Sequence, residues 1–215
     1  MFLNKPQVLI FDLGNVLVHY DHRATCAGLA ALCQVDADAI ASLLPEVGDD
    51  MGVGKLDFDG FHRFMQARAG ATADLDAFWL GFCAGLRRNG EALAYAVALQ
   101  QRAGVSVAVI SNTNDGHVLW LDEHVPELRE FDLVMMSNEV GLHKPDPEIF
   151  RLALELLAVE PGAALFVDDL AQNVTAAQAL GMAGVVHTDW ESTGKQIEEW
   201  LSEAASATQA LVSSR

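Results

Sequence analysis

The sequence predicts an α/β protein: a doubly wound parallel sheet interrupted by a small helical insertion. Two observations carry this. Short apolar runs, each stopped abruptly by small or polar residues, are interleaved with helix-like segments in the second half of the chain. Between residues 20 and 89 that alternation gives way to stretches rich in alanine and leucine. Strand and helix in alternation build a parallel sheet covered on both faces.

The first run is Val8, Leu9, Ile10 and Phe11, and later ones occupy residues 105–110, 133–136 and 164–167. A weaker candidate is Gly184, Val185, Val186 and His187. Uninterrupted apolar strands of this kind suit a sheet buried on both sides. Helices are expected over residues 91–103 and 173–180, closed by Gly104 and Gly181, because glycine readily takes the left-handed conformation that ends a helix. A third is expected over residues 146–159, where Asp146 can cap free N–H groups and Pro147 suits a first-turn position that needs no donor. Within the insertion, residues 24–32, 37–44, 59–69 and 74–86 read as helical. Its aromatic residues Phe58, Phe61, Phe64, Phe78, Trp79 and Phe82 are spaced for internal packing. The expected division is a discontinuous core of residues 1–19 and 90–215 around an insertion of residues 20–89. After Glu191 the chain alternates through Trp200 and Leu201, then turns to small residues and is expected to fray.

Composition narrows the partners. The 215 residues are 51% apolar, enough for a substantial core. Thirteen basic against 30 acidic residues give a net charge of −17. That balance argues against nucleic acid and anionic membranes, which would repel the chain. An anionic substrate would be repelled as well, so a local cationic site must capture it. No stretch reaches the roughly 18 apolar residues of a membrane span. The opening residues lack a basic segment followed by an apolar run, and a cytoplasmic protein is expected. Cys26, Cys33 and Cys83 are odd in number and without CxxC spacing, which fits reduced, packed thiols. The histidines form no metal-binding pair.

In an open parallel sheet, ligands bind beyond the carboxyl ends of the strands. The residues that follow the runs are Asp12, Ser111, the loop leading to Lys144, and the pair Asp168 and Asp169. Adjacent buried acids are costly without a cation. A carboxylate attacks phosphorus only when the repulsion between two anions is cancelled by a divalent ion and a positive side chain. Asp12, Asp169 and Lys144 supply those parts, and all-oxygen ligands suit magnesium. Ser111, Asn112, Thr113 and Asn114 offer hydroxyl and amide donors to the same oxygens.

Over nearly its whole length the sequence resembles the haloacid dehalogenase superfamily. Phe11-Asp12-Leu13-Gly14-Asn15-Val16-Leu17 is similar to its first motif, Ser111-Asn112-Thr113 to its second, Lys144-Pro145 to its third, and Val167-Asp168-Asp169 with Asn173 to its fourth. The form of the first two motifs, with Gly54-Lys55-Leu56 and Phe61 in the insertion, is closest to the sugar-phosphate phosphatase branch that includes alpha-D-glucose-1-phosphate phosphatases. The resemblance implies a Rossmann-like core with a helical cap and magnesium-dependent hydrolysis of a small phosphorylated metabolite through an aspartyl-phosphate. Residue by residue, it implies Asp12 as nucleophile and metal ligand, the Gly14 carbonyl and Asp169 as further ligands, and Asp168 acting on the ion mainly through water. Asn173 would orient the site. Lys144 and Ser111 would hold the phosphoryl group, with Asn112 touching substrate.

Gly14 departs from the pattern. Most phosphatases of the superfamily place a second aspartate there, which protonates the leaving oxygen and activates water. Such acid–base help is worth about 10² to 10⁴ in rate, so another group, water or an easier leaving group must serve. Candidate substitutes are His19, His22, Asp49, Asp50, Lys55 and His62, while Asn15 and His143 are polar neighbours without a role. Two rival readings remain: a dehalogenase, which needs no metal and leaves the acidic pair without use, and a non-catalytic binding module.

Overall fold

The computed structural model describes residues 7–213, with side chains described through Glu203. Five parallel strands form the main sheet: β1 (Gln7–Phe11), β4 (Val105–Ser111), β5 (Leu133–Met136), β6 (Ala164–Asp168) and β7 (Ala183–Val186). They lie in the order β5-β4-β1-β6-β7. β2 (Val18–Tyr20) and β3 (Leu86–Arg88) pair separately as an antiparallel ribbon. His187, expected in the last strand, lies one residue beyond it, where its N–H donates to the Asp168 carbonyl at 2.9 Å.

The apolar runs are continuous because each face of the sheet has its own helices. In β1, Leu9 and Phe11 point to one side and Val8 and Ile10 to the other, and all four are buried. The first side is covered by α6 (Gly90–Gln100), α7 (Asp115–His124) and α11 (Trp190–Ser213), through Leu93, Leu121 and Ile197 among others. The second is covered by α9 (Pro147–Leu156) and α10 (Ala171–Ala179), through Ile149, Phe150 and Val174. Each such side chain fully buried stabilises the fold by about 1.5–3 kcal/mol. Asp146 caps α9 as its sequence suggests, accepting from the Glu148 N–H at 2.9 Å.

Between β2 and β3 lie α1 (His22–Cys33), α2 (Ala37–Leu43), α3 (Gly48–Gly52), α4 (Phe58–Ala69) and α5 (Leu75–Phe82). They enclose a third apolar cluster in which Phe61 and Phe78 are wholly buried. Its rings stand 5.1–6.2 Å apart, which is packing geometry. Cys26, Cys33 and Cys83 are free and buried.

Two expectations need correction, and one helix was not expected. Residues 74–86 are not one helix: α5 stops at Phe82, a 3₁₀ turn follows, and Leu86 opens β3. Three-residue strands carry too few positions for a period-two pattern to show. Where the small residues after Leu201 are expected to fray, α11 continues to Ser213. Helix α7 is absent from the sequence reading, since its apolar positions lie among polar and charged ones.

Among the described residues no single helix is long and apolar enough to cross a membrane.

Candidate active site

Strand register assembles the site. Phe11 pairs with Val167, so the next residues of β1 and β6, Asp12 and Asp168, emerge side by side at the carboxyl edge. This is where the strand order reverses direction, a position at which such sheets bind ligands. The Asp12 N–H donates to the Val167 carbonyl at 2.9 Å, which fixes the turn. Asp168 is fully buried and Asp12 nearly so, while Asp169 is half-buried. Carboxylate oxygens from all three lie within 4.8 Å of one another.

Lys144, in the loop between α8 (Ser137–Val140) and α9, points into this cluster and is 3% exposed. Its Nζ donates to Asp12 Oδ1 at 2.7 Å, Asp168 Oδ2 at 2.8 Å and the Ile110 carbonyl at 2.8 Å. All three of its protons are therefore used. Asp168 is equally satisfied. Oδ1 accepts from the Leu170 N–H at 2.8 Å and from Asn173 Nδ2 at 3.0 Å. Oδ2 accepts from Lys144 and from Asn173 at 3.1 Å.

Three carboxylates and one ammonium leave a net charge of −2, which one divalent cation would cancel. The donors are all oxygen, which suits a hard ion such as magnesium. Asp169 is the freest of the three carboxylates, touched by Asn15 Nδ2 at 3.4 Å. Burial pushes the Asp12 carboxyl up to about 6, with Lys144 opposing and Asp168 adding to the shift. A nearby cation favours the charged form and would bring it down.

Ser111 ends β4 and is buried beside this cluster. Asn112, expected to touch substrate, lines both cavities at the strand ends and also holds Lys144. Its Nδ2 donates to the Lys144 carbonyl and its Oδ1 accepts from the Lys144 N–H, both at 2.8 Å. The amide thus clasps the backbone of the lysine that holds both aspartates. Asn114 also has local work: its Oδ1 accepts from the His117 N–H at 3.1 Å and caps α7.

Two cavities of about 250 and 220 Å³ adjoin the strand ends and share Tyr20, Asn112, Thr113, Asn114 and His117. The smaller reaches Gly14 and Ser111. The larger reaches His22, Leu44, Asp49 and Met51 from the inserted helices, and His143 from the core. No lysine or arginine lines either cavity. Of the candidate substitutes for an acid at Gly14, His22 and Asp49 line the larger cavity. His19 is exposed on β2. His62 bonds the Ala73 carbonyl and packs tilted against Phe78. Asp50 and Lys55 line neither cavity.

Two cavity residues escape the sequence reading, Tyr20 and His117. The available signal was Asn114: a helix cap directly after a strand end puts the first turn of that helix, and so His117, beside the site. The inserted helices are seated on the same turn. Trp79 Nε1 donates to the Gly116 carbonyl at 2.7 Å, and the Phe82 ring stacks on His117 at 4.4 Å. A Cβ at Gly116 would stand 2.7 Å from the Phe58 ring, so only glycine allows this approach. Gly54, at φ +71°, meets the Asn138 carbonyl from the other side, and a Cβ there would come within 2.1 Å of that oxygen.

The acidic strand ends and the buried lysine fall within residues 6–181, which match the haloacid dehalogenase-like hydrolase family, to which the chain belongs. The chain is 29% identical over 186 residues to D-ribitol-5-phosphate phosphatase of Bacteroides thetaiotaomicron, covering 80% of this chain and 87% of that one. It is 33% identical over 110 residues, 51% of its length, to Acyl-CoA dehydrogenase family member 10 of Mus musculus, of which it spans only 10%. Its fold is similar to that of a haloacid dehalogenase family enzyme from Bacteroides thetaiotaomicron, solved in complex with magnesium and inorganic phosphate. The TM-score is 0.77 at 22% identity, covering 87% of this chain and 98% of that one.

Proposed function

We propose that the protein is a magnesium-dependent phosphatase that hydrolyses a small phosphomonoester, a sugar phosphate, through an aspartyl-phosphate on Asp12. One observation carries the reading: Lys144 is locked between Asp12 and Asp168 at 2.7 and 2.8 Å, with Asp169 completing an acidic trio. A dehalogenase has no use for such a concentration of negative charge, whereas a phosphatase needs it to hold its ion. Asp12, Asp169 and the Gly14 carbonyl would hold magnesium, with Asp168 acting through water. Bound there, the ion supplies charge cancellation between the carboxylate and the phosphoryl oxygens.

The protein's own groups account for the rest. Lys144 and Ser111 orient the phosphoryl oxygens. An Asp12 oxygen attacks phosphorus, the bond to the ester oxygen breaks, and the leaving oxygen takes a proton from water. Water then attacks the phosphorus of the aspartyl-phosphate, which frees inorganic phosphate and returns Asp12 to a carboxylate. Asn112 keeps Lys144 in place through its backbone, and Asn173 and the Leu170 N–H keep Asp168 in place. Cavity walls with amides and a tyrosine but no lysine or arginine support an uncharged, hydroxylated leaving group. The relative that acts on D-ribitol 5-phosphate agrees with that class. The reading includes an inserted cap of residues 20–89 on a core of residues 1–19 and 90–215. Its three free thiols agree with a cytoplasmic setting.

The test is phosphate release from sugar, acyl and aryl phosphates, with magnesium and with chelator, for wild type and Asp12→Asn. We expect magnesium-dependent release that Asp12→Asn abolishes. Activity surviving that change, or no release by wild type from any of the substrates, would overturn the reading.

A further inference from the structure

Asn15 stands between the acidic cluster and the first strand of the ribbon. It lies in the turn that leads from Asp12 into β2, where its N–H donates to the Val18 carbonyl at 2.7 Å. Its backbone is left-handed, at φ +56°. Glycine takes that conformation freely, and asparagine is among the few residues with a side chain that tolerate it. What asparagine adds over glycine is an amide, and both ends of that amide are engaged.

Oδ1 accepts from the Tyr20 N–H at 3.1 Å. A backbone N–H can only donate, so oxygen is the end that faces Tyr20 and nitrogen is left to face the acids. Nδ2 lies 3.4 Å from Asp169 Oδ2, a long contact for an amide donor. Asn15 is exposed, so water competes for each bond singly; the two together fix the amide. Lys144 holds Asp12, and Lys144, Asn173 and the Leu170 N–H hold Asp168. Among the described residues, Asn15 is the one side chain hydrogen-bonded to Asp169. At the other end of the amide, Tyr20 belongs to the wall of both cavities.

We propose that Asn15 is a positioning residue that ties the ion site to the cavity wall: one end of its amide orients Asp169 for magnesium, and the other holds the Tyr20 backbone. The proposal rests on the phosphatase reading for the ion's place at Asp169, and deepens it. Without the amide, Asp169 is free to turn and must be ordered by the ion itself, which weakens binding. With it, an ion that fixes Asp169 also fixes the acceptor of the Tyr20 N–H. Magnesium therefore steadies the point where the chain enters the inserted helices.

The test is Asn15→Gly, which removes the amide and leaves a residue at ease at φ +56°. Titration calorimetry with magnesium alone should give a dissociation constant about tenfold or more weaker than that of wild type. Hydrogen exchange read by NMR supplies the second measurement. The Asp21 N–H donates to the Gly85 carbonyl and does not depend on Asn15, so it serves as the control. In wild type, magnesium should slow exchange at the Tyr20 amide more than at the Asp21 amide; in the variant that difference should vanish. An unchanged dissociation constant, equal slowing at both amides in wild type, or the same difference persisting in the variant would overturn the proposal. Should the variant fail to fold, the wild-type comparison of Tyr20 with Asp21 decides alone. Neither measurement needs turnover, so if wild type releases phosphate from no substrate the phosphatase reading fails by itself and the role of Asn15 is still decided.

Discussion

Asp12→Asn separates the electrostatic cost of the site from its chemistry. Burial raises the Asp12 carboxyl from 3.8 to about 6 in the metal-free protein. A group with a raised folded pKa binds more protons when folded than when unfolded. Its penalty is therefore absent below the unfolded value, grows as the pH climbs from 3.8 to about 6, and is complete above that. At about 1.4 kcal/mol per pKa unit, ionised Asp12 costs the metal-free fold about 3 kcal/mol. Asparagine has nearly the same shape, keeps an oxygen for Lys144 Nζ, and carries no charge. With chelator at neutral pH the variant should thus be more stable than wild type by about 2–3 kcal/mol, and the gap should close as the pH falls towards 4. Urea unfolding followed by tryptophan fluorescence across that range measures the difference directly. Magnesium should reverse the order, because the ion stabilises the protein that holds it more tightly. A variant no more stable than wild type in chelator, or a gap that ignores pH, would refute the reasoning.

Asn112→Ala removes both 2.8 Å bonds to the Lys144 backbone. It should lower kcat and cost about 1–2 kcal/mol in thermal unfolding; a raised KM with unchanged stability would return Asn112 to substrate contact. At Gly14 the atom nearest a new Cβ is Asp12 Oδ2, 4.0 Å away, so a side chain can start there without a clash. Gly14→Asp should raise kcat on alkyl phosphates by about tenfold and change aryl phosphates much less, if a missing acid limits the rate. Phe61 is wholly buried among three other phenylalanine rings, and Phe61→Ala should cost about 3–5 kcal/mol in urea unfolding.

The elements easiest to read were those with one dominant signal. The five core strands are apolar because helices cover both faces, and α9 carries its own Asp–Pro start. Asp12, Ser111, Asp168 and Asp169 stood out because each ends or follows a strand in a sheet that gathers strand ends, and Lys144 because it lies in the loop beyond β5. What the sequence concealed depends on long-range contact. The β2–β3 ribbon is too short to show periodicity, and its pairing links residues about seventy positions apart. Asn112 has the same amide whether it faces substrate or a lysine backbone 32 residues away; only the fold decides. His117 looked like one scattered histidine until Asn114, Phe82 and Tyr20 closed around it.

The ribbon itself decides how the chain tolerates changes in the inserted segment. The chain departs along β2 and returns along β3, and those strands lie side by side, His19 opposite Arg87. Whatever is spliced between them begins and ends at one point on the core, so the core's own connections do not depend on its length or shape. Loop-closure entropy grows only logarithmically, by about 0.6 kcal/mol for each doubling. The helices between the two strands are therefore a unit whose length and shape can change while the strand ends beneath keep their own connections.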